Sequence, residues 1–177
     1  FNIQSIPVDD VIVEKQLGVT DFEVDQNFTF KAETSANGIE WTPVEAGTTY
    51  TITNTDGSAS TTGTVGANGE FTLKAGQRAV FSGMNAGTYF RATETPNGNF
   101  TTSVHVTGDE TTQENLTGSL KVRSGINRIL FINTPSSSSL LNYDKTAEVE
   151  DYENRVYEIN LSASTMGSTA GTEGDSA

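Results

Sequence analysis

A chain of 177 residues with no cysteine has room for one ordinary domain and part of another, and it excludes disulfide staples, thiolate nucleophiles and cysteine metal sites. Its 23 acidic against 10 basic side chains give a net charge of −13, and no basic stripe interleaves with aromatics, so nucleic acid is not an expected partner. No apolar run nears the roughly 20 residues of a membrane span, and the opening "FNIQSIPVDD" lacks a basic segment leading into an apolar one, so an exported protein would have lost its leader before this point.

From Val11 onward, apolar and polar residues alternate in short runs, broken by Gly, Asn and Asp clusters. That is the pattern of an all-β sandwich or barrel, and no helix is expected. The first strand, "VIVEKQL", puts Val11, Val13, Lys15 and Leu17 on one face and Ile12, Glu14 and Gln16 on the other. "FTFKAET" then sets Phe28, Phe30 and Ala32 against Thr29, Lys31 and Glu33. "TTYTITNT" continues the style, and successive hairpins follow with turns at Asp56-Gly57, Asn68-Gly69, Ala75-Gly76 and Ala86-Gly87. In "TYFRATET", Phe90, Ala92 and Glu94 share one face and Tyr89, Arg91 and Thr93 the other. "NFTTSVHVTG", "GSLKVR" and "NRILFIN" read as the remaining strands, the last with Ile129, Phe131 and Asn133 together.

At Pro135 and the four serines after it the alternation stops. The expected organisation is a β-sandwich over 1–135, a Ser-rich linker over 136–142, the first strands of a truncated second β-sandwich over 143–164, and a disordered tail over 165–177. The second segment echoes the first: Lys145 precedes Ala163 of "VYEINLSAS" much as Lys15 precedes Ala32.

Three polar side chains, Lys15, Glu94 and Asn133, thus fall on inward positions of three strands. An unpaired ion there would cost several kcal/mol and would sooner neutralise. Burial raises a carboxyl pKa and lowers an amine pKa. A neutral Lys15 amine is a nucleophile, and a protonated Glu94 can donate a hydrogen bond to the Asn133 side-chain carbonyl. The product would be a Lys15–Asn133 isopeptide bond with loss of ammonia. Each residue also has a plainer reading: Lys15 with its amine reaching solvent, Glu94 bonded to a turn before Pro96, Asn133 capping its strand.

The motifs "VIVEKQLG", "GEFTLKAGQRAVFSGMNAGTYFRATETP" and "ILFINTP" resemble those of CnaB-type, prealbumin-like (Ig-like) domains of Gram-positive pilins and surface adhesins, over about Val11 to Pro135. The resemblance implies a β-sandwich with a spontaneous intramolecular isopeptide bond, Lys15 being nucleophile, Glu94 proton shuttle and Asn133 acceptor. The stretch "YDKTAEVEDYENRVYEINLSAS" is similar to the segment that, in pilus-tip adhesins, leads into a von Willebrand factor A domain and its supporting sandwich. The function so implied is that of a structural stalk module, extracellular on the cell wall or in a pilus. Its partners would be neighbouring domains of the same surface protein, and host matrix or glycan through a remainder. No cofactor or metal is implied, and a reaction that turns over once on itself is not enzymatic.

The competing reading is a carbohydrate- or host-protein-binding sandwich in which the three residues are merely hydrogen-bonded. A hydrolase with paired carboxylates would need a second inward acid beside Glu94, and no adjacent strand offers one. The lone His105 alternates with Val104 and Val106 and is expected to face outward, without catalytic work. Trp41, beside Pro43, reads as a satellite core residue. The acidic residues Glu148, Glu150, Asp151 and Glu153 lack the spacing of a calcium loop and read as a solvated face. The sequons at Asn27, Asn99, Asn115 and Asn160 would count only in a eukaryotic secretory route.

Overall fold

The computed structural model describes residues 8–19, 25–113 and 115–136. The chain divides into two units, 1–134 and 135–177, and the architecture below is that of the first. Beyond Ser136, the expected linker, the second segment with Lys145 and its acidic residues, and the tail lie outside the described residues.

The described residues hold twelve strands: β1 Val8–Leu17, β2 Phe28–Ser35, β3 Thr42–Pro43, β4 Thr49–Asn54, β5 Ser60–Thr64, β6 Glu70–Leu73, β7 Gln77–Asn85, β8 Tyr89–Glu94, β9 Phe100–Val106, β10 Asp109–Gln113, β11 Thr117–Lys121 and β12 Arg128–Pro135. One sheet runs β10-β9-β12-β1-β7-β4-β5. The other runs β11-β8-β2-β3, with β6 also paired to β2. The result is an all-β sandwich whose first and last strands, β1 and β12, are parallel neighbours in the middle of the larger sheet.

The alternation read from the sequence is what closes the sandwich. Val11 and Val13 of β1, Phe28, Phe30 and Ala32 of β2, Phe90 and Ala92 of β8, and Ile129 and Phe131 of β12 are all buried. Phe30 lies 5.3 Å from Phe71 and 5.1 Å from Phe131, centroid to centroid, and Phe81 lies 5.2 Å from Phe71 and 5.4 Å from Phe90, so rings from both sheets interlock. Each such valine, isoleucine or phenylalanine contributes about 1.5–3 kcal/mol by leaving water, and each ring pair roughly 0.5–1.5 kcal/mol more.

The four expected turns form, each with its glycine at positive φ, but only Asp56-Gly57 closes a hairpin, between β4 and β5; the other three carry the chain between strands that do not pair with each other, from one sheet to the other. At Asn68-Gly69 both residues are left-handed, with φ of 59° and 80°, inside a single 3-10 turn, Ala67–Gly69. Gly69 is also packed: a Cβ there would run into the backbone oxygen of Ala32. Gly69→Ala is therefore expected to destabilise by about 3 kcal/mol, combining backbone strain with a clash that no side chain can relieve. A urea titration reads this directly, and a shift below about 1 kcal/mol would show that the turn adapts.

The outer faces hold what the sequence left undecided. Glu14 points away from the core yet is buried, because Arg128 Nε donates to its Oε1 at 2.9 Å, Arg78 Nη2 stands 3.6 Å away, and Gln16 Nε2 donates to its Oε2 at 2.7 Å. Burial pushes the Glu14 carboxyl up, but the bonds from Arg128 and Gln16 and the charges of Arg128 and Arg78 bring it below the ordinary value. Glu33 is treated alike on the other sheet: Arg91 Nε donates to its Oε1 at 2.7 Å. Trp41 is not a core residue as expected. It is half-buried, and its ring takes the Arg91 guanidinium at 4.4 Å, so the aromatic serves to cover an ion pair on the outer face.

Candidate functional site: a lysine, a glutamate and an asparagine in the core

The site is assembled from both sheets. Lys15 of β1 stands opposite Phe131 on the parallel strand β12 and opposite Gln77 on β7. Asn133 of β12 stands opposite Leu17 of β1. Because faces repeat every two residues, Lys15 and Asn133 project from adjacent strands on the same inner side, one diagonal step apart. Glu94, the last residue of β8, comes from the facing sheet, where it pairs with Phe30 of β2. Each of the three inward positions expected from alternation is realised: Lys15 and Asn133 are 0% exposed and Glu94 1%.

Asn133 Nδ2 donates to Glu94 Oε2 at 2.6 Å, a short bond that ties the two sheets together. The sequence suggested a bond from a protonated Glu94 to the Asn133 carbonyl; instead the amide nitrogen faces the carboxyl. The carbonyl oxygen, Oδ1, accepts from Thr102 Oγ1 of β9 at 3.0 Å. The second carboxyl oxygen, Glu94 Oε1, is buried and has no hydrogen-bond partner among the described residues. Lys15 Nζ donates to the backbone oxygen of Gln16 at 3.1 Å and lies 4.4 Å from the centroid of the Phe28 ring.

This dry setting shifts both ionisable groups toward neutrality. Burial lowers the Lys15 amine from 10.5 to about 8, against the opposing pull of the Glu94 charge. Burial raises the Glu94 carboxyl, against the Lys15 charge and the bond from Asn133. The arrangement therefore holds an amine that can shed its proton near neutral pH, a carboxyl that tends to keep one, and an amide bonded to that carboxyl.

Thr102 is the residue that sequence reasoning missed. The signal was there: Phe100, Val104 and Val106 of β9 are buried, and Thr102 shares their face, so it is a fourth polar group on an inward position. The acids Glu14 and Glu33 belong to the outer-face ion pairs and not to this site. Among the described residues no group of three His, Cys, Asp or Glu side chains could hold a metal ion.

The fold has known counterparts. The major pilin from Streptococcus pyogenes matches with a TM-score of 0.52 at 20% sequence identity, covering 71% of this chain and 47% of that one. A mutant of that pilin with a glutamate changed to alanine matches with a TM-score of 0.55 at the same identity and coverage. The pilus-presented adhesin Cpa matches with a TM-score of 0.48 at 20% identity, covering 73% of this chain and 28% of that one. The pilin matches establish a pilin-like β-sandwich, and the chain spans about half the length of the pilins it matches. No curated protein matches the chain. One family model, described as a domain of unknown function (DUF7601), matches residues 9–135.

Proposed function

The chain belongs to the DUF7601 family across residues 9–135, and we propose that it is a stalk module of a Gram-positive pilus or surface adhesin, of the CnaB type, locked by a Lys15–Asn133 isopeptide bond. The observation that carries the reading is the convergence of three buried polar groups from the first strand, the last strand and the facing sheet, with Asn133 bonded to Glu94 at 2.6 Å. A core that merely wanted stability would place apolar residues there, since replacing buried ionisable groups by well-packed apolar ones is often neutral or stabilising.

Strand order explains the mechanical use. Tension applied outside the domain enters through β1 and leaves through β12, which are parallel, so the pull shears them along their length. With Lys15 bonded to Asn133, the load passes from β1 across the bond to the end of β12. The roughly 118 residues between the two positions carry none of it. The module would thus keep its shape while presenting neighbouring domains, and through them a host or substrate contact, away from the cell.

Intact-mass measurement tests this. The protein is expected to weigh one ammonia less than its sequence, and Lys15→Ala or Glu94→Ala to restore the full mass. A wild-type protein of full sequence mass would end the proposal and leave a hydrogen-bonded, ligand-binding sandwich as the reading.

A further inference from the structure

We propose that Thr102 is a catalytic residue of the cross-linking reaction, its hydroxyl holding the Asn133 carbonyl oxygen while Glu94 serves the departing nitrogen. The inference rests on the reading above and divides the chemistry of that site between two groups. The observations are the two ends of one amide: Oδ1 accepts from Thr102 Oγ1 at 3.0 Å, and Nδ2 donates to Glu94 Oε2 at 2.6 Å. A carboxyl already engaged with the nitrogen is badly placed to polarise the oxygen. The donor that does face the oxygen comes from a third strand, β9, beside β12 in the larger sheet.

The step balances with these groups alone. The lone pair of the neutral Lys15 Nζ forms a bond to Asn133 Cγ, and the carbonyl π pair moves onto Oδ1, where the Thr102 hydroxyl stabilises the developing negative charge. Glu94 takes one proton from Nζ and gives its own to Nδ2. The pair on Oδ1 returns to re-form the carbonyl, the Cγ–Nδ2 bond breaks, and ammonia leaves. Glu94 ends with the proton count it began with, and Lys15 retains one hydrogen on the new amide. The donor to Oδ1 is most valuable in the tetrahedral intermediate, where the oxygen bears charge, and this is the condition for a hydrogen bond to accelerate a reaction.

The test follows ammonia loss by intact mass at timed points after cell-free synthesis of the full chain, for wild type, Thr102→Val and Thr102→Ser. Valine keeps the shape and removes the donor; serine keeps the donor and removes the methyl group. Thr102→Val is expected to lose ammonia on the order of a hundredfold more slowly than wild type, and Thr102→Ser within a few-fold of it. If Thr102→Val reacts within a few-fold of wild type, or if serine is as slow as valine, the hydroxyl has no part in the chemistry and the assignment falls. A wild-type chain that never loses ammonia would be a different failure, that of the cross-link itself.

Discussion

Replacing Lys15 by methionine is expected to lower the stability of the protein by about 4–5 kcal/mol, although the new side chain suits the core better than the old one. The magnitude is that of closing a loop of about 118 residues in the unfolded chain, by analogy with a disulfide of similar span. For a domain of this size it corresponds to a fall in Tm of about 15 °C. The sign is what makes the substitution informative. Without a bond, Lys15 is a fully buried amine held by one backbone oxygen and a ring face. Exchanging it for a thioether of similar length leaves Glu94 in the protonated form that burial already favours, and would then leave stability unchanged or raise it. Thermal unfolding of Lys15→Met against wild type separates the cases, and a rise in Tm would count decisively against the cross-link.

The pH dependence of the same comparison offers a control. An unbonded Lys15 has a folded pKa of about 8 against an ordinary value of 10.5, so between those limits the unfolded chain binds more protons than the folded one. Stability would then rise with pH through that window. A cross-linked Lys15 has no amine to titrate and contributes no such rise.

Much of this architecture was legible because alternation is a local property. In β1, β2, β8 and β12 the apolar residues fix which face is inward, and the polar member of each set follows by parity, whatever the neighbouring strand turns out to be. Lys15, Glu94 and Asn133 were found in this way, and the glycine turns could be read from two-residue signals. Glu14 and Glu33 could not be read so. Their burial depends on Arg78, Arg128 and Arg91 standing beside them on other strands, which is a matter of register between distant segments. Trp41 escaped for the same reason: only the pairing of β3 with β2 brings it over Arg91. Thr102 was hidden differently. Threonine is so ordinary in a strand that a single hydroxyl on the inner face carries little signal until its partner, Asn133 Oδ1, is known.

The rate of ammonia loss is expected to follow a bell in pH, and Glu94 decides its shape. The reactive form has the amine neutral and the carboxyl protonated, so Lys15 and Glu94 together hold one ionisable proton. At low pH both are protonated and there is no nucleophile. At high pH both are bare, and Glu94 has no proton to give to Nδ2. The reaction should therefore run fastest while the pair keeps a single proton. Its alkaline limb should fall near pH 8, where burial has placed the amine, and its acid limb above the ordinary 4.5 of a glutamate, because burial raises the Glu94 carboxyl. Beyond either limb the rate should drop tenfold per pH unit. Glu94→Gln, which fills the same space but cannot exchange a proton, should reduce the rate by a factor of at least about 10²–10⁴ at every pH and abolish the bell. Timed intact-mass measurements from pH 4 to 10 distinguish this from a simpler chemistry in which Glu94 only tightens the packing. In that case the rate would climb steadily as Lys15 deprotonates and level off above pH 8, and Glu94→Gln would scale the curve without changing its form.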